Sequence, residues 1–301
     1  MLGVSPPDLV TAAAAAGFSA VGLRISPAAD GERPWPVLPG SPMLAETIRR
    51  CADTGMRVLD AEAVRLGALP SDYRPALEAA AALGARYVNA ICDDPDLRRL
   101  SDSFAALTAA AAPYGIRAVV EFMAYRSVRT LAEAVAIARA SGGGGILVDA
   151  LHVQRCGVPA GALRAVDPGL ISYVQLCDAP LAAPGAGPAS ADAVREARAG
   201  RLLPGEGQLP LLELLAALPD GIPVAVEAPR AGSGFGSGSG SGDGGSPGEF
   251  AARARQALDS VLRRSTCAGQ PPVPPPGQSS GQSPGQSSGQ SSVQSQAKER
   301  P

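Results

Sequence analysis

Four side chains with oxygen donors stand near the ends of four successive apolar runs. They are Glu121 in "RAVVEF" (117–122), Asp149 in "GILVDAL" (145–151), Gln175 in "SYVQLCD" (172–178) and Glu227 in "PVAVEAP" (223–229). A single carboxylate in such a place is ordinarily a helix N-cap or the partner of an arginine. Three that converge on one mouth repel one another unless a cation neutralises them. Carboxylate and amide oxygens suit a hard divalent ion, Mg²⁺ or Mn²⁺ above all. His152 follows Asp149 by three residues, a spacing from which an imidazole can hydrogen-bond a substrate or shuttle a proton. Glu62, Asn89 and Asp178 end or follow further runs of the same kind.

The elements that must hold these residues are seven short apolar runs, "SAVGLRI" (19–25), "RVLDAEAV" (57–64), "RYVNAI" (86–91) and the four just named. Ala/Leu-rich helical stretches separate them. One is "SDYRPALEAAAALGA", with Ser71 as its N-cap and Gly84 near its end. Strands alternating with helices predict a parallel sheet with right-handed crossovers. The chain has 301 residues. The Gly/Ser stretch 231–247 reads as a loop insertion, and the Gly/Ser/Gln/Pro tract 265–301 as a disordered tail. Between and after them, "GEFAARARQALDSVLRR" has apolar residues at helical spacing and closes the fold. Without insertion and tail, roughly 250 residues remain, the usual size of a (β/α)8 TIM barrel. Only "MLGV" precedes the first helix, "SPPDLVTAAAAAG", so the expected barrel (1–264) has a truncated first strand.

Composition narrows the chemistry further. The formal charge is −2, which gives no basic footprint for nucleic acid and no basic face for a membrane. The apolar stretches fall short of a spanning helix and no leader opens the sequence, so the expected location is cytoplasmic. Five cysteines without paired spacing fit a reducing compartment. The only lysine is Lys298, in the tail, which argues against Schiff-base aldolase and pyridoxal chemistry. His152 is the only histidine, so several histidine ligands at one metal are impossible. The glycines 142–145 precede a strand and open no helix, so they are no phosphate cradle.

The segments "AAAAAGFSAVGLRI", "ALGARYVNA", "PYGIRAVVEF", "ILVDALH", "YVQLCDAP", "RLLPGEG" and "VAVEAP" together resemble the sugar phosphate isomerase/epimerase family, the xylose isomerase-like TIM barrels. The resemblance runs from about residue 5 to 230 and resumes over 248–264. It implies one divalent ion, Mn²⁺ or Mg²⁺ with Co²⁺ or Zn²⁺ as alternatives, held by Glu121, Asp149, Gln175 and Glu227. The "D-x-x-H" pair of that family matches Asp149 and His152. Most isomerases of the family carry histidine where this chain has Gln175. A glutamine there, within a "QL-x-D-A" segment, is similar to the 3-dehydroshikimate dehydratases, which also use a second histidine that this chain lacks.

The expected function is therefore a metal-dependent sugar or sugar phosphate isomerase/epimerase. Glu121 and Glu227 would remove and return a proton through an enediolate. One alternative is a lyase of dehydroshikimate dehydratase type acting on a hydroxy-keto acid, with His152 as acid or base. Another is a non-catalytic or truncated barrel. Endonuclease chemistry is disfavoured by the single histidine and the missing basic face. Arg201, in "RLLPGEG", is expected over the mouth as a clamp for a substrate phosphate or carboxylate. Glu62, Asp178 and Glu206 complete the expected substrate-binding set, although "PGEG" is first of all a turn signal. Cys177 points away from Gln175 by strand alternation and reads as core. The expected partners are small molecules, with a homo-oligomer allowed.

Overall fold

The computed structural model describes residues 3–28, 32, 35–67, 72–229 and 245–268. Its core is a seven-stranded, all-parallel sheet in the order β1 to β7. The strands are β1 (Ala20–Arg24), β2 (Arg57–Leu66), β3 (Tyr87–Cys92), β4 (Arg117–Glu121), β5 (Gly145–Asp149), β6 (Ile171–Leu176) and β7 (Val224–Val226). Each falls on one of the seven apolar runs, because a parallel strand covered by helices must be apolar almost throughout.

Helices fill the crossovers: α1 (Pro6–Ala15), α2 (Pro42–Thr54), α3 (Arg74–Ala82), α4 (Leu97–Ala111) and α5 (Leu131–Ala140) in the first half. The short α6 (Ala150–Arg155), α7 (Ala160–Arg164), α8 (Ala191–Ala199) and α9 (Leu211–Leu215) follow, and α10 (Pro247–Ala268) closes the fold. Local chemistry sets several of the starts. Ser5 and Ser41 cap α1 and α2 with prolines in the first turn, and Thr130 with Glu133 forms a capping box on α5. α3 begins at Arg74, after Tyr73, which makes no side-chain cap; the expected cap Ser71 lies outside the described residues. α10 runs over 265–268, inside the segment expected to be disordered, and the rest of that tail lies outside the described residues, as does 231–244 of the expected insertion.

Two layers pack around the sheet. Inside the barrel, Tyr87, Val119, Leu147 and Tyr173 form a small cluster, with the two tyrosine rings stacked at 5.0 Å. Outside, the strands' other faces bury against the helices in one large core that includes Leu100, Phe104, Leu107 and Leu151. The sheet does not close among the described residues: β1 pairs with β2 alone and β7 with β6 alone. No strand precedes α1 there; residues 3–5 form a turn. A cavity of about 700 Å³ occupies this seam, walled by β1, β7, α1 and α10, and it reaches Arg24, Glu62, Gln175 and Glu227. Gly22 borders it for a steric reason, since a Cβ there would lie 2.5 Å from Asp60 Oδ1. Among the described residues no helix is long and apolar enough to cross a membrane.

Candidate active site

The expected residues gather at the carboxyl ends of the strands, where parallel α/β barrels place their sites. Glu121 ends β4 and Asp149 ends β5. Register places Asp149 directly opposite Gln175 on β6, and Gln175 opposite Ala225 on β7. The Glu227 amide continues that ladder by donating to the Leu176 carbonyl at 3.0 Å. Neighbours in register share a face of a sheet, so the four side chains point into one space. Asp149 also begins α6: its Oδ1 accepts the His152 amide at 2.9 Å, so the cap that starts the helix brings the imidazole back over the carboxylate.

The cluster is crowded and acidic, and Glu227 alone of it keeps partial exposure. Glu121, Asp149, His152, Gln175 and Arg201 are all at most 5 % exposed. Arg201 Nη1 donates to Asp149 Oδ2 at 2.6 Å and lies 3.0 Å from Glu227 Oε2. His152 Nε2 lies 3.6 Å from Glu121 Oε1 and 3.9 Å from Asp149 Oδ1. Tyr125 meets the imidazole edge-on, at 5.6 Å between ring centres. Asn89 Nδ2 donates to Glu121 Oε2 at 3.0 Å.

Three carboxylates thus share one guanidinium and one imidazole, and the ionisation follows. Burial pushes His152 down to about 4, against the pull of Asp149, so the ring is neutral at pH 7. Burial, with the charges of Asp149 and Glu227, holds Glu121 well above the usual carboxylate range. Burial raises Glu227 to about 7, although Arg201 opposes it. Burial works in the same direction on Asp149, but Arg201 and His152 outweigh it and hold that group below its ordinary value. The site therefore has more carboxyl groups than its one guanidinium balances, and without a further cation Glu121 and part of Glu227 keep their protons.

These donors fit a divalent ion. Ligand-capable atoms of Glu121, Asp149 and His152 lie within 4.8 Å of one another. Gln175 Oε1 is buried without a hydrogen-bond partner, and an orphaned amide oxygen beside carboxylates is what a hard cation satisfies. His152 thereby joins the group of donors, beyond the proton-handling role expected from the sequence.

The expected substrate-binding residues separate. Arg201 lies on the loop after α8 as expected, but its side chain is buried rather than spread over the mouth, also donating to the Ala197 carbonyl at 2.8 Å. Asp178 is buried, and its oxygens accept the Gly205, Leu209 and Ala179 amides, which ties the "RLLPGEG" loop down. Gly207 packs against this brace so closely that a Cβ would lie 2.5 Å from Asp178 Oδ1. Glu206 is exposed, and its Oε2 accepts the Leu203 amide at 3.0 Å, closing its own turn. Glu62 reaches across the barrel: its Oε1 accepts Gln175 Nε2 at 3.1 Å, and its Oε2 accepts Arg24 Nη2 at 2.8 Å. Sequence reasoning passed over Arg24. Its one signal was an arginine at the end of "SAVGLR", level with Glu62 on the neighbouring strand.

Comparisons with known proteins place the fold. The chain is similar in structure to a xylose isomerase-like TIM barrel/4-hydroxyphenylpyruvate dioxygenase fusion protein (TM-score 0.69, 21 % identity). That match covers 91 % of this chain, which spans only 44 % of the fusion protein's length. It is also similar to the IOLI protein with a binding zinc atom (TM-score 0.62, 16 % identity), covering 89 % of this chain and 95 % of that one. A third likeness is to D-psicose 3-epimerase with D-tagatose from Clostridium cellulolyticum H10 (TM-score 0.60, 15 % identity), covering 87 % and 94 %. Among proteins of curated function, none matches the sequence significantly. Residues 10–264 match the family described as "Xylose isomerase-like TIM barrel", and the chain belongs to that family.

Proposed function

We propose that the protein is a divalent-metal-dependent isomerase or epimerase of a sugar, sugar phosphate or related hydroxyketone. The observation that carries this reading is the acidic excess at the ends of β4, β5 and β7, buried at Glu121 and Asp149, with the unpartnered Gln175 oxygen beside it. Glu121, Asp149, Gln175 and Glu227 would hold the ion, with His152 near enough to take part. An ion so held supplies a Lewis acid that polarises a carbonyl and steadies oxyanion charge.

The chain's own residues do the rest. Glu121 and Glu227 end strands separated by β5 and β6, so they approach a substrate from different sides. One takes the proton from the carbon next to the carbonyl and the other returns it, through an enediolate. Glu227, raised to about 7 in the metal-free protein, would ionise when the ion binds and so be available as the base. Neutral His152 can accept a hydrogen bond from a substrate hydroxyl, and Asp149 with the edge of Tyr125 fixes its position. Arg201 holds Asp149 and Glu227 in place as their counter-ion. The seam cavity of about 700 Å³ reaches Gln175 and Glu227 only at its edge, and Glu121, Asp149 and His152 do not line it.

Gln175 also favours a second reading, a dehydratase of a hydroxy-keto acid, because its "QL-x-D-A" segment is similar to the 3-dehydroshikimate dehydratases. One experiment separates the two. Purified protein loaded with Mn²⁺ is incubated with ketoses, their phosphates and dehydroshikimate-like acids in D₂O. Deuterium at the carbon next to the carbonyl of recovered sugar supports the isomerase. A conjugated acid, followed by its absorbance, supports the dehydratase. Absence of any divalent binding sinks both and leaves Arg201 as the only counter-ion.

A further inference from the structure

The Gln175 amide has two ends of nearly equal shape and opposite character. The oxygen can face a cation; the NH₂ repels one. Nothing on β6 itself decides between them, since both orientations fit the same strand position. The choice is made across the barrel. Glu62, on β2, places its Oε1 3.1 Å from Gln175 Nε2, in a contact that spans 113 residues of sequence. A carboxylate only accepts hydrogen bonds, so it takes the NH₂ end and would repel the oxygen.

Glu62 is in turn held as an anion in one place. Its Oε2 accepts Arg24 Nε at 3.2 Å and Nη2 at 2.8 Å, a two-pronged contact between residues in register on β1 and β2. Arg24 is anchored on its other side, where Nη1 donates to Glu32 Oε1 at 2.9 Å; Glu32 Oε2 accepts the Ala28 amide at 2.8 Å. The chain Glu32–Arg24–Glu62–Gln175 ends in an amide oxygen that is buried and has no hydrogen-bond partner.

We infer that Arg24 and Glu62 are positioning residues that orient the Gln175 amide, so that its oxygen faces the metal centre. The inference rests on the proposed metal site and adds to it a reason why a glutamine can serve there. An amide is a dependable oxygen ligand only if something holds its NH₂ elsewhere. Partners that orient a ligand change metal affinity by about 10- to 100-fold when removed.

The test is a double-mutant cycle on divalent affinity, measured by calorimetry with Mn²⁺, together with the visible absorption of the Co²⁺-loaded protein. Glu62→Gln keeps the shape but can donate as well as accept, so the Gln175 amide is free to turn. It is expected to weaken Mn²⁺ binding about 10- to 100-fold and to alter the Co²⁺ spectrum. Gln175→Ala weakens binding by itself, and Glu62→Gln added to it is expected to cost nothing further. Arg24→Gln, one step more remote, gives a smaller loss and keeps the idea testable if Glu62→Gln does not fold by circular dichroism. Unchanged affinity and spectrum in Glu62→Gln, or the same loss with and without Gln175, overturns the positioning role while the metal site stands. Wild-type protein that binds neither ion overturns both.

Discussion

Two clusters of acids and arginines sit at the carboxyl end of this barrel, and they solve the same electrostatic problem differently. On the loop after β3, Asp93 pairs with Arg65 at 3.0 Å and with Arg126, and Asp94 pairs with Arg99 at 2.5 Å. With Asp96, 3.5 Å from Arg99, three carboxylates there meet three guanidiniums, and Arg65, Arg126 and Arg99 each keep some contact with water. At the ends of β4, β5 and β7, three carboxylates meet one buried guanidinium and a neutral imidazole. The first cluster is balanced by its own side chains and ties loops together. The second keeps a deficit of positive charge around two fully buried carboxylates and a third that is only partly exposed, and a fold tolerates that only where protons or a cation make up the difference. An acidic cluster is informative through its imbalance, more than through its number of acids.

The largest expected effect comes from removing an acid on the unbalanced side. Glu121→Gln should lower turnover of a responsive substrate about 10²- to 10⁴-fold and weaken divalent binding, by steady-state kinetics and calorimetry. Turnover and metal affinity at wild-type level would remove the contrast between the clusters.

Arg201→Met comes next. It leaves Asp149 and Glu227 without their buried partner and should cost the metal-free protein about 3–5 kcal/mol in denaturant unfolding. Added Mn²⁺ should restore more stability to this variant than to wild type, since the ion then replaces a missing charge. Equal stabilisation of both would show that Arg201 and the ion do not share carboxylates.

On the balanced side, Asp93→Asn should cost about 2 kcal/mol through its lost charged hydrogen bonds. Metal affinity in that variant should not move. A fall in affinity would join the two clusters into one site.

The smallest effect is a pH dependence. Burial raises Glu227 from 4.5 to about 7, so the folded metal-free protein holds a proton that the unfolded chain releases. Its contribution to stability is greatest below pH 4.5 and is lost as pH rises toward 7. Divalent binding must expel that proton, so the apparent affinity should be about tenfold weaker at pH 6 than at pH 8. An unchanged pH slope in Glu227→Gln, or a flat profile in wild type, would separate this residue from the ion.

Much of this was legible in residue order. All seven strands lie on the apolar runs, because a strand buried on both faces leaves a continuous apolar trace. Glu121, Asp149, Gln175 and Glu227 were recognisable as strand-end residues for the same reason, and register brought Asp149 and Gln175 side by side. Arg201 and Asp178 were not legible in the same way. "RLLPGEG" reads as an exposed turn, yet Arg201 turns inward beneath it and Asp178 collects the loop's amides. A loop's sequence carries turn chemistry but not the direction in which its longest side chain is buried.

The sequence by itself determined the donors: which residues end the strands, that histidine occurs once, and that an amide stands among three carboxylates. Those facts follow from local periodicity and composition, which need no closed barrel. Only the tertiary structure decided how the donors are balanced and aimed. It set Arg201 between Asp149 and Glu227, His152 beside Glu121, and Glu62 across the interior from Gln175. Such contacts depend on how far the sheet curves and how its strands stagger, and these are properties of the whole sheet rather than of any segment.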